Sequence, residues 1–376
     1  MKKILPLTLA SALICSALAT TTVYAEDITS IGLNRMIELA EESNVSYQVL
    51  KKQEERERDD YVTAKAIAVS LEQNFDIDDS FTFSDKQKLE LDPLSEGKEY
   101  KDKLYEVLSQ EKEIDYKSKE LFYTLSNLKE DLRSKKDYYD FMQSKRESKK
   151  TELEVGQITQ LQYDEFEVTF QNAFVDYLKA ANSLERKQRE INIFLDQDPL
   201  IDIDIVESSM TTLDLEAFDL ESLFETMLEN SYQIAQLETE KDIKEKELEL
   251  KQRFKGFGEV AIEMDLLEDQ IMKLDGDIED MKRSIKLDLY SKYNDAKIAE
   301  KNIEVSQLDY ELAKRTYEIA ELKYDNGLVS LIDLSESRKA FETAYYNIND
   351  AKLQAYLQVQ NFANFVELNT ARITAE

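Results

Sequence analysis

The chain has 376 residues, 34% of which are charged, and its formal net charge is −31. It contains seven glycines and three prolines, a composition typical of long helices with few turns. With no histidine and one cysteine, histidine-based acid–base catalysis, internal disulfides and Cys/His zinc or haem sites are excluded. A strongly acidic surface also repels phosphate backbones. We therefore predict an all-α protein that is not an enzyme and binds no metal, cofactor or nucleic acid. The alternative is an enzyme whose catalysis rests on carboxylates, Lys, Ser or Tyr, and no pair of acidic residues in the sequence stands out for that role.

Residues 1–25 have the features of a secretory signal peptide. Two lysines precede an apolar run over residues 4–19, and Val23-Tyr24-Ala25 fits the small-x-small rule for cleavage after its last residue. An uncleaved N-terminal anchor is the alternative. Cys15 follows an isoleucine, which is too large for the usual lipidation motif. Since no later window approaches the ~18 apolar residues of a membrane helix, we expect an exported protein without a membrane helix.

The first half of the mature chain, residues 26–198, is predicted to form one long helical hairpin. An apolar stripe beginning near Ile28, with Ser30 as its cap, indicates a helix that ends near residue 73. Residues 75–98 form an insertion rich in turn formers, with brief alternations that predict two short strands or a loop. Residues 100–154 lack Gly and Pro, which permits a helix of about 80 Å.

A break at 155–159 is followed by a helix over residues 160–195, which completes the first hairpin. Residues 199–215 are predicted to be a linker. The second hairpin then occupies residues 216–376, with an interruption after Arg253 and a long helix to Asp325. Its last helix is expected to run from Leu331 to about Leu368.

The two breaks are the landmarks of an internal duplication. They read Val155-Gly156-Gln157-Ile158-Thr159 and Asn326-Gly327-Leu328-Val329-Ser330. When the two glycines are superimposed, apolar residues follow at seven-residue steps and at equal distances in both copies. These are Tyr163, Phe170, Tyr177, Leu184 and Ile191 in the first copy, and Leu334, Phe341, Ile348, Ala355 and Phe362 in the second. The sequence therefore predicts two tandem antiparallel helical hairpins.

The seven-residue spacing predicts left-handed coiled-coil packing of the helices. Before the second break, Ile303, Tyr310 and Tyr317 occupy one seam, and Val305 and Leu312 occupy another. Apolar residues on more than one seam indicate that a helix has neighbours on two sides. Such helices form a lateral array that can close into a tube. A plain four-helix bundle remains the alternative at this point.

The residues of the breaks have local roles that must be separated from function. Gly156 and Gly327 suit the left-handed conformation that ends a helix. Thr159 and Ser330 are predicted N-caps, each with a capping-box partner three residues later. Turn chemistry does not explain the apolar residues of the two tips, which we expect to be exposed and to require a partner. These are Ile158, Leu328 and Val329.

These features together resemble the TolC-like outer membrane efflux protein family. The resemblance rests on the signal peptide, the duplicated pair of long helices, both turns, and the segments 40–44 and 324–333. It covers nearly the whole mature chain, although Gln157 and Asn326 depart from the family's apolar residues. It implies a homotrimer whose helices form a duct in the cell envelope and pass substrates outward. The implied partners are a periplasmic adaptor, also called a membrane fusion protein, and an inner-membrane transporter.

The resemblance also implies roles for residues of this chain. The hairpin tips would dock to the adaptor through Val155, Gly156, Gln157, Ile158, Thr159, Asn326, Gly327, Leu328, Val329 and Ser330. Two acidic residues beyond the second turn, Asp333 and Glu336, would narrow the closed pore. Their alternative role is helix capping and solvation.

Members of this family insert a strand pair in each half, and the trimer closes these strands into a membrane β-barrel. A membrane strand needs ~9–11 residues with an alternating lipid face. Residues 75–98 hold only short, charged alternations, and residues 253–264 have room for little more than a turn. We therefore expect these strands to be shortened or missing, which leaves membrane contact open. A non-conducting coiled-coil scaffold or spacer of the envelope is the alternative function.

Overall fold

The computed structural model describes residues 30–74, 81–206, 209–211, 213–254 and 260–374. The predicted signal peptide lies outside these ranges. The helices are α1 (Leu33–Ser43), α2 (Val45–Asn74), α3 (Phe83–Glu90), α4 (Asp92–Glu154), α5 (Gln160–Phe194), α6 (Leu220–Asn230), α7 (Tyr232–Arg253), α8 (Val260–Asp325) and α9 (Leu331–Thr370). The described residues contain no strand, and one isolated parallel bridge joins Ile31 to Ile205. The predicted all-α fold with two long hairpins, α4–α5 and α8–α9, is confirmed.

The helices form a lateral array in which each half contributes one long helix and two shorter ones. Helices α2 and α5 pack along successive parts of α4, and α7 and α9 do the same along α8. The two halves meet where α4 contacts α9 and α7. One edge of the array is therefore formed by α2 and α5, and the other by α8.

The duplication includes the start of each half. Both α1 and α6 have 11 residues, and in each half a single residue separates this short helix from the next. That residue is Asn44 in the first half and Ser231 in the second. The Asn44 side chain accepts a hydrogen bond from the backbone N–H of Tyr47 at 2.9 Å, which stabilises the new helix start. The single first helix expected from the sequence is thus divided in two.

The beginning of the first half also differs from the prediction. The first helix begins at Leu33 with Gly32 as its N-cap, whereas the sequence predicted a start near Ile28 with Ser30 as the cap. The physical reason is a tertiary contact. The backbone N–H of Ile31 donates to the carbonyl of Asp204 at 2.9 Å, and the N–H of Val206 donates to the carbonyl of Ile31 at 2.9 Å. The extended backbone of this bridge excludes a helix there.

The insertion predicted as strands or a loop is helical over residues 83–90 and from Asp92 onward. A capping box between Thr82 and Asp85 begins α3, and α4 begins at Asp92 with Pro93 in its first turn, where proline is tolerated. Gly97 lies inside α4 because a Cβ there would stand 3.0 Å from the ring of Tyr61. The glycine and proline that suggested a loop therefore serve helix initiation and close packing. Residues 75–80 of the insertion lie outside the described residues.

Three apolar clusters hold the array together. The first joins α1, α4, α5, α9 and the linker, whose isoleucines Ile203 and Ile205 are buried in it. The second joins α6, α7, α8 and α9, and has the fully buried Phe362 at its centre. The third lies towards the hairpin tips, between α4, α5 and α9. In the part of the chain that is described, no helix is long and apolar enough to cross a membrane.

Candidate functional site at the hairpin tips

The two turns have the same backbone geometry. Gly156 has φ +73° and Gly327 has φ +71°, both in the left-handed region. In each copy the residue after the glycine donates its N–H to the carbonyl five residues earlier, from Gln157 to Glu152 and from Leu328 to Lys323, at 2.8 Å in both cases. This is the hydrogen bond of a Schellman motif, which satisfies a helix-end carbonyl. The predicted helix termination is confirmed in both copies.

The predicted caps are also present. Thr159 Oγ1 accepts from the N–H of Gln162 at 3.2 Å, and Ser330 Oγ accepts from the N–H of Asp333 at 3.1 Å. In return the Thr159 N–H donates to Gln162 Oε1 at 2.9 Å, and the Ser330 N–H donates to Asp333 Oδ2 at 3.0 Å. Hydrogen bonds from the Ser330 side chain and backbone lower the pKa of Asp333. The Asp333 carboxylate is thus engaged in capping α9.

Exposure of the tip side chains differs from the expectation in part. Leu328 is 73% exposed and Val155 is 63% exposed, so each tip carries one strongly exposed apolar residue. Ile158 and Val329, at equivalent positions of the two turns, are half-buried. The expectation that these two are exposed is therefore wrong.

The two tips are not level with each other. The Tyr138 hydroxyl is hydrogen-bonded to Ser335 Oγ, although Tyr138 lies 18 residues before Gly156 and Ser335 only 8 residues after Gly327. At 1.5 Å per helical residue, the first hairpin projects beyond the second by about 15 Å. Leu331 and Leu334, just after the second turn, are consequently buried in the third apolar cluster. The second tip is seated against the side of the first hairpin.

Asp333 and Glu336 lie on one side of α9 and are both exposed. Glu336 borders a shallow cleft between α4, α5 and α9, near Asp176 and Lys339. Lys339 Nζ donates to Asp176 Oδ2 at 3.2 Å, a contact between the two hairpins. The role of Asp333 and Glu336 at a pore constriction stays a prediction, because a pore would require further copies of the chain.

A buried charged group between the two hairpins was missed by the sequence reasoning. Glu342 on α9 is 5% exposed, and it accepts a hydrogen bond from Arg338 Nε at 3.1 Å. Lys135 on α4 lies 3.6 Å from its other oxygen and 4.0 Å from Asp131. Burial raises the pKa of Glu342, while Lys135 and Arg338 oppose that rise. The sequence holds no signal for this group, because Lys135 and Glu342 are far apart along the chain.

Two edges of the array expose apolar heptad stripes. On α8, the stripe residues are each more than half exposed: Ile298, Val305, Leu308, Leu312, Ile319 and Leu322. On α5, they are Leu161, Val168, Val175 and Leu178. The seam predicted through Val305 and Leu312 therefore exists but is exposed among the described residues of the single chain.

Glycine-to-alanine substitutions should have opposite effects on the free energy of unfolding in the two turns and inside a helix. Gly156→Ala and Gly327→Ala should each lower the free energy of unfolding by about 1–2 kcal/mol, since both positions need positive φ. A Cβ at either position would meet no atom within 4 Å, so the effect comes from the backbone alone. Gly276→Ala, inside α8 with equally open space, should instead add about 1 kcal/mol. Denaturant unfolding of the three variants measures this, and a stabilising Gly327→Ala would contradict the assignment.

Comparison with known proteins gives similarity at the level of structure. The sequence matches no protein-family model and no curated protein. The CmeC outer membrane channel of Campylobacter jejuni is similar with a TM-score of 0.69 and 12% identity, over 91% of this chain and 86% of that one. The outer membrane protein VceC of Vibrio cholerae is similar with a TM-score of 0.68 and 10% identity, over 91% of this chain and 97% of that one.

A membrane protein from Pseudomonas aeruginosa is similar with a TM-score of 0.71 and 9% identity, over 92% of each chain. At these identities the similarity concerns the fold alone. It extends over nearly the whole length of all three proteins, so the paired hairpins and the shorter helices along them share one arrangement. The chain therefore shares the helical-hairpin fold found in bacterial outer membrane channels.

Proposed function

We propose that the chain is a component of a TolC-like efflux duct, in which copies assemble side by side into a helical tube. The observation that carries this proposal is the pair of uncovered apolar edges on α5 and α8. The exposed stripe on α8 extends from Ile298 to Leu322, about 36 Å at 1.5 Å per residue. Such a long apolar stripe on a solvent-exposed surface indicates an interface with another protein chain.

Further copies of the chain are the partners that cover both edges, one neighbouring copy at each edge. Since the edges lie on opposite sides of the array, α8 of one copy can pack against α5 of the next, and the ring closes without another protein. Both edges repeat apolar residues at seven-residue steps, which is the spacing that knobs-into-holes packing requires. The number of copies that we propose is three, following the family that the sequence resembles.

The tips then serve as the docking end of the duct. Val155 at the projecting first tip and Leu328 at the recessed second tip offer apolar anchors to an adaptor protein. Asp333 and Glu336 would face the lumen near this end and attract cations. Transport by such a duct is conduction and gating without bond chemistry, in a cell-envelope location. Opening would change how the two hairpins coil on each other near the third apolar cluster.

Mass measurement and imaging of the purified mature protein test this proposal. Light scattering should give three times the chain mass, and electron microscopy should display a hollow cylinder. Monomers or dimers with a filled core would instead favour a non-conducting scaffold or spacer of the envelope. A trimer with no central cavity would also refute the duct.

A further inference from the structure

A second site lies between the hairpins, away from the tips. A cleft of about 430 Å³ opens between α4, α8 and α9. Its volume lies within the ~300–1,000 Å³ range of small-molecule sites. All of its lining residues come from one chain, so the cleft does not depend on assembly or on the proposed duct.

One wall of the cleft is aromatic. Tyr317 stacks on Phe341 with ring centroids 5.6 Å apart, and Tyr310 lies 5.6 Å from Phe341 and 5.9 Å from Tyr345. All four rings are half-buried, so each keeps surface that the chain itself does not cover. A continuous wall of π surface favours a flat aromatic ligand or a cation placed over the ring faces.

The rest of the lining, on α4 and α9, is mostly charged, with an excess of carboxylates. Glu130, Asp137 and Glu342 line the cleft together with Arg133 and Arg338, which leaves one negative charge. Within the described part of the chain, Glu130 and Asp137 form no ion pair. Arg133, which lies between them on α4 and also lines the cleft, has no ion pair in the described residues either, so these three groups together leave one net negative charge for a ligand's positive charge.

The guanidinium of Arg338 already contacts other groups of the chain. It is held by Glu342, and its guanidinium carbon lies 5.4 Å from the ring centroid of Tyr138 and 5.1 Å from that of Phe141. Neither of these two rings lines the cleft. The available carboxylates and the aromatic wall thus form the complementary pair of surfaces in the cleft.

The cleft lies on the side of α9 that faces away from Asp333 and Glu336. At 100° per residue, the mean direction of Arg338, Phe341, Glu342 and Tyr345 is about 160° from that of the two acids. If those acids face a lumen, a molecule in the cleft lies outside the conduction path. Because the cleft joins α4 of the first hairpin to α8 and α9 of the second, its occupant would bridge the hairpins.

We propose that this cleft binds a planar aromatic cation, with the rings of Tyr310 and Tyr345 against its π surface and Asp137 and Glu130 near its positive charge. The bound cation stabilises the side-by-side arrangement of the two hairpins, since it contacts both. It acts as a ligand of the wall rather than as cargo in the lumen.

Ethidium, a planar fluorescent cation, is the probe for the test. Fluorescence anisotropy of the full mature protein at about 0.15 M salt should report one ethidium per chain and no binding of the fluorescein anion. Tyr345→Ala should weaken binding about tenfold, whereas Tyr345→Phe should retain it within about twofold, because the ring supplies the contact. Asp137→Asn should weaken binding by about fivefold. The matched control Asp140→Asn removes the same charge from an exposed α4 position outside the cleft, and should change nothing.

Equal losses in Asp137→Asn and Asp140→Asn would mean nonspecific attraction to an acidic surface and would overturn the site. So would unchanged binding in Tyr345→Ala, the absence of ethidium binding, or binding by monomers but not by the assembled protein. Thermal unfolding supplies a second readout, because ethidium should raise the melting temperature of the wild type more than that of Tyr345→Ala. The proposed duct is tested separately, by particle mass and electron microscopy without ethidium, so failure of the duct and failure of the cleft site can be distinguished.

Discussion

Leu312→Glu combined with Ile319→Glu should yield a helical, folded chain that remains a monomer. Both side chains belong to the exposed stripe on α8 and are more than half exposed, so the fold should keep its stability. In an assembly they would be buried against α5 of a neighbouring copy. Each glutamate would then have to lose its hydration, and each lost apolar contact removes about 1 kcal/mol or more at every interface. Light scattering should detect complete loss of the oligomer.

The matched control for this experiment is Lys314→Glu. It lowers the net charge by two, as the double variant does, but it changes an exposed position on the other side of α8. Its oligomer should therefore persist, and circular dichroism should confirm that both proteins are helical. An intact oligomer in the double variant would show that the stripe on α8 is not the interface. An equal loss in Lys314→Glu would indicate general charge repulsion instead.

Arg338→Met should lower the free energy of unfolding by about 3 kcal/mol, because it removes the hydrogen-bonded partner of a buried carboxylate. Glu342 would retain only Lys135, whose Nζ lies 3.6 Å away. Combining Arg338→Met with Glu342→Leu should restore most of the loss, since no uncompensated negative charge is left inside. Urea unfolding of the single and double variants checks this. A double variant no more stable than the single one would contradict a buried-charge origin.

The pH dependence of this site has a definite sign. Burial raises the pKa of Glu342 in the folded chain above its value in the unfolded chain. Ionised Glu342 therefore opposes folding, and its protonated form favours it. Relative to Glu342→Gln, the wild type should gain stability as the pH falls through the folded pKa, with the full gain reached below the unfolded pKa. In the Arg338→Met background, the gain in stability relative to Glu342→Gln should be larger, because the guanidinium no longer opposes the rise in the pKa of Glu342. Urea unfolding at several pH values measures it.

Local sequence determined the hairpins and their turns. Positive φ at Gly156 and Gly327 and capping by Thr159 and Ser330 involve residues within a few positions of one another, so composition and spacing were enough to predict them. The heptad stripes likewise predicted apolar seams on more than one side of a helix, because coiled-coil contacts repeat with the sequence, but not that the seam through Val305 and Leu312 would be exposed in the single chain. The prediction that Gly97 marks a loop was wrong because its cause is not local. The glycine lies inside α4, where the ring of Tyr61 from another helix leaves little room for a Cβ.

Tertiary structure alone decided how the two halves meet. The stagger of the tips depends on the hydrogen bond between Tyr138 and Ser335. The buried charge of Glu342 depends in the same way on its ion pair with Lys135, which belongs to the other hairpin. No periodic pattern encodes the axial register between two long helical hairpins, because every heptad shift presents a similar stripe. The register is selected by specific partners, here a hydroxyl pair and a buried ion group. The sequence thus defined two similar hairpins, and their packing made the first tip projecting and the second recessed.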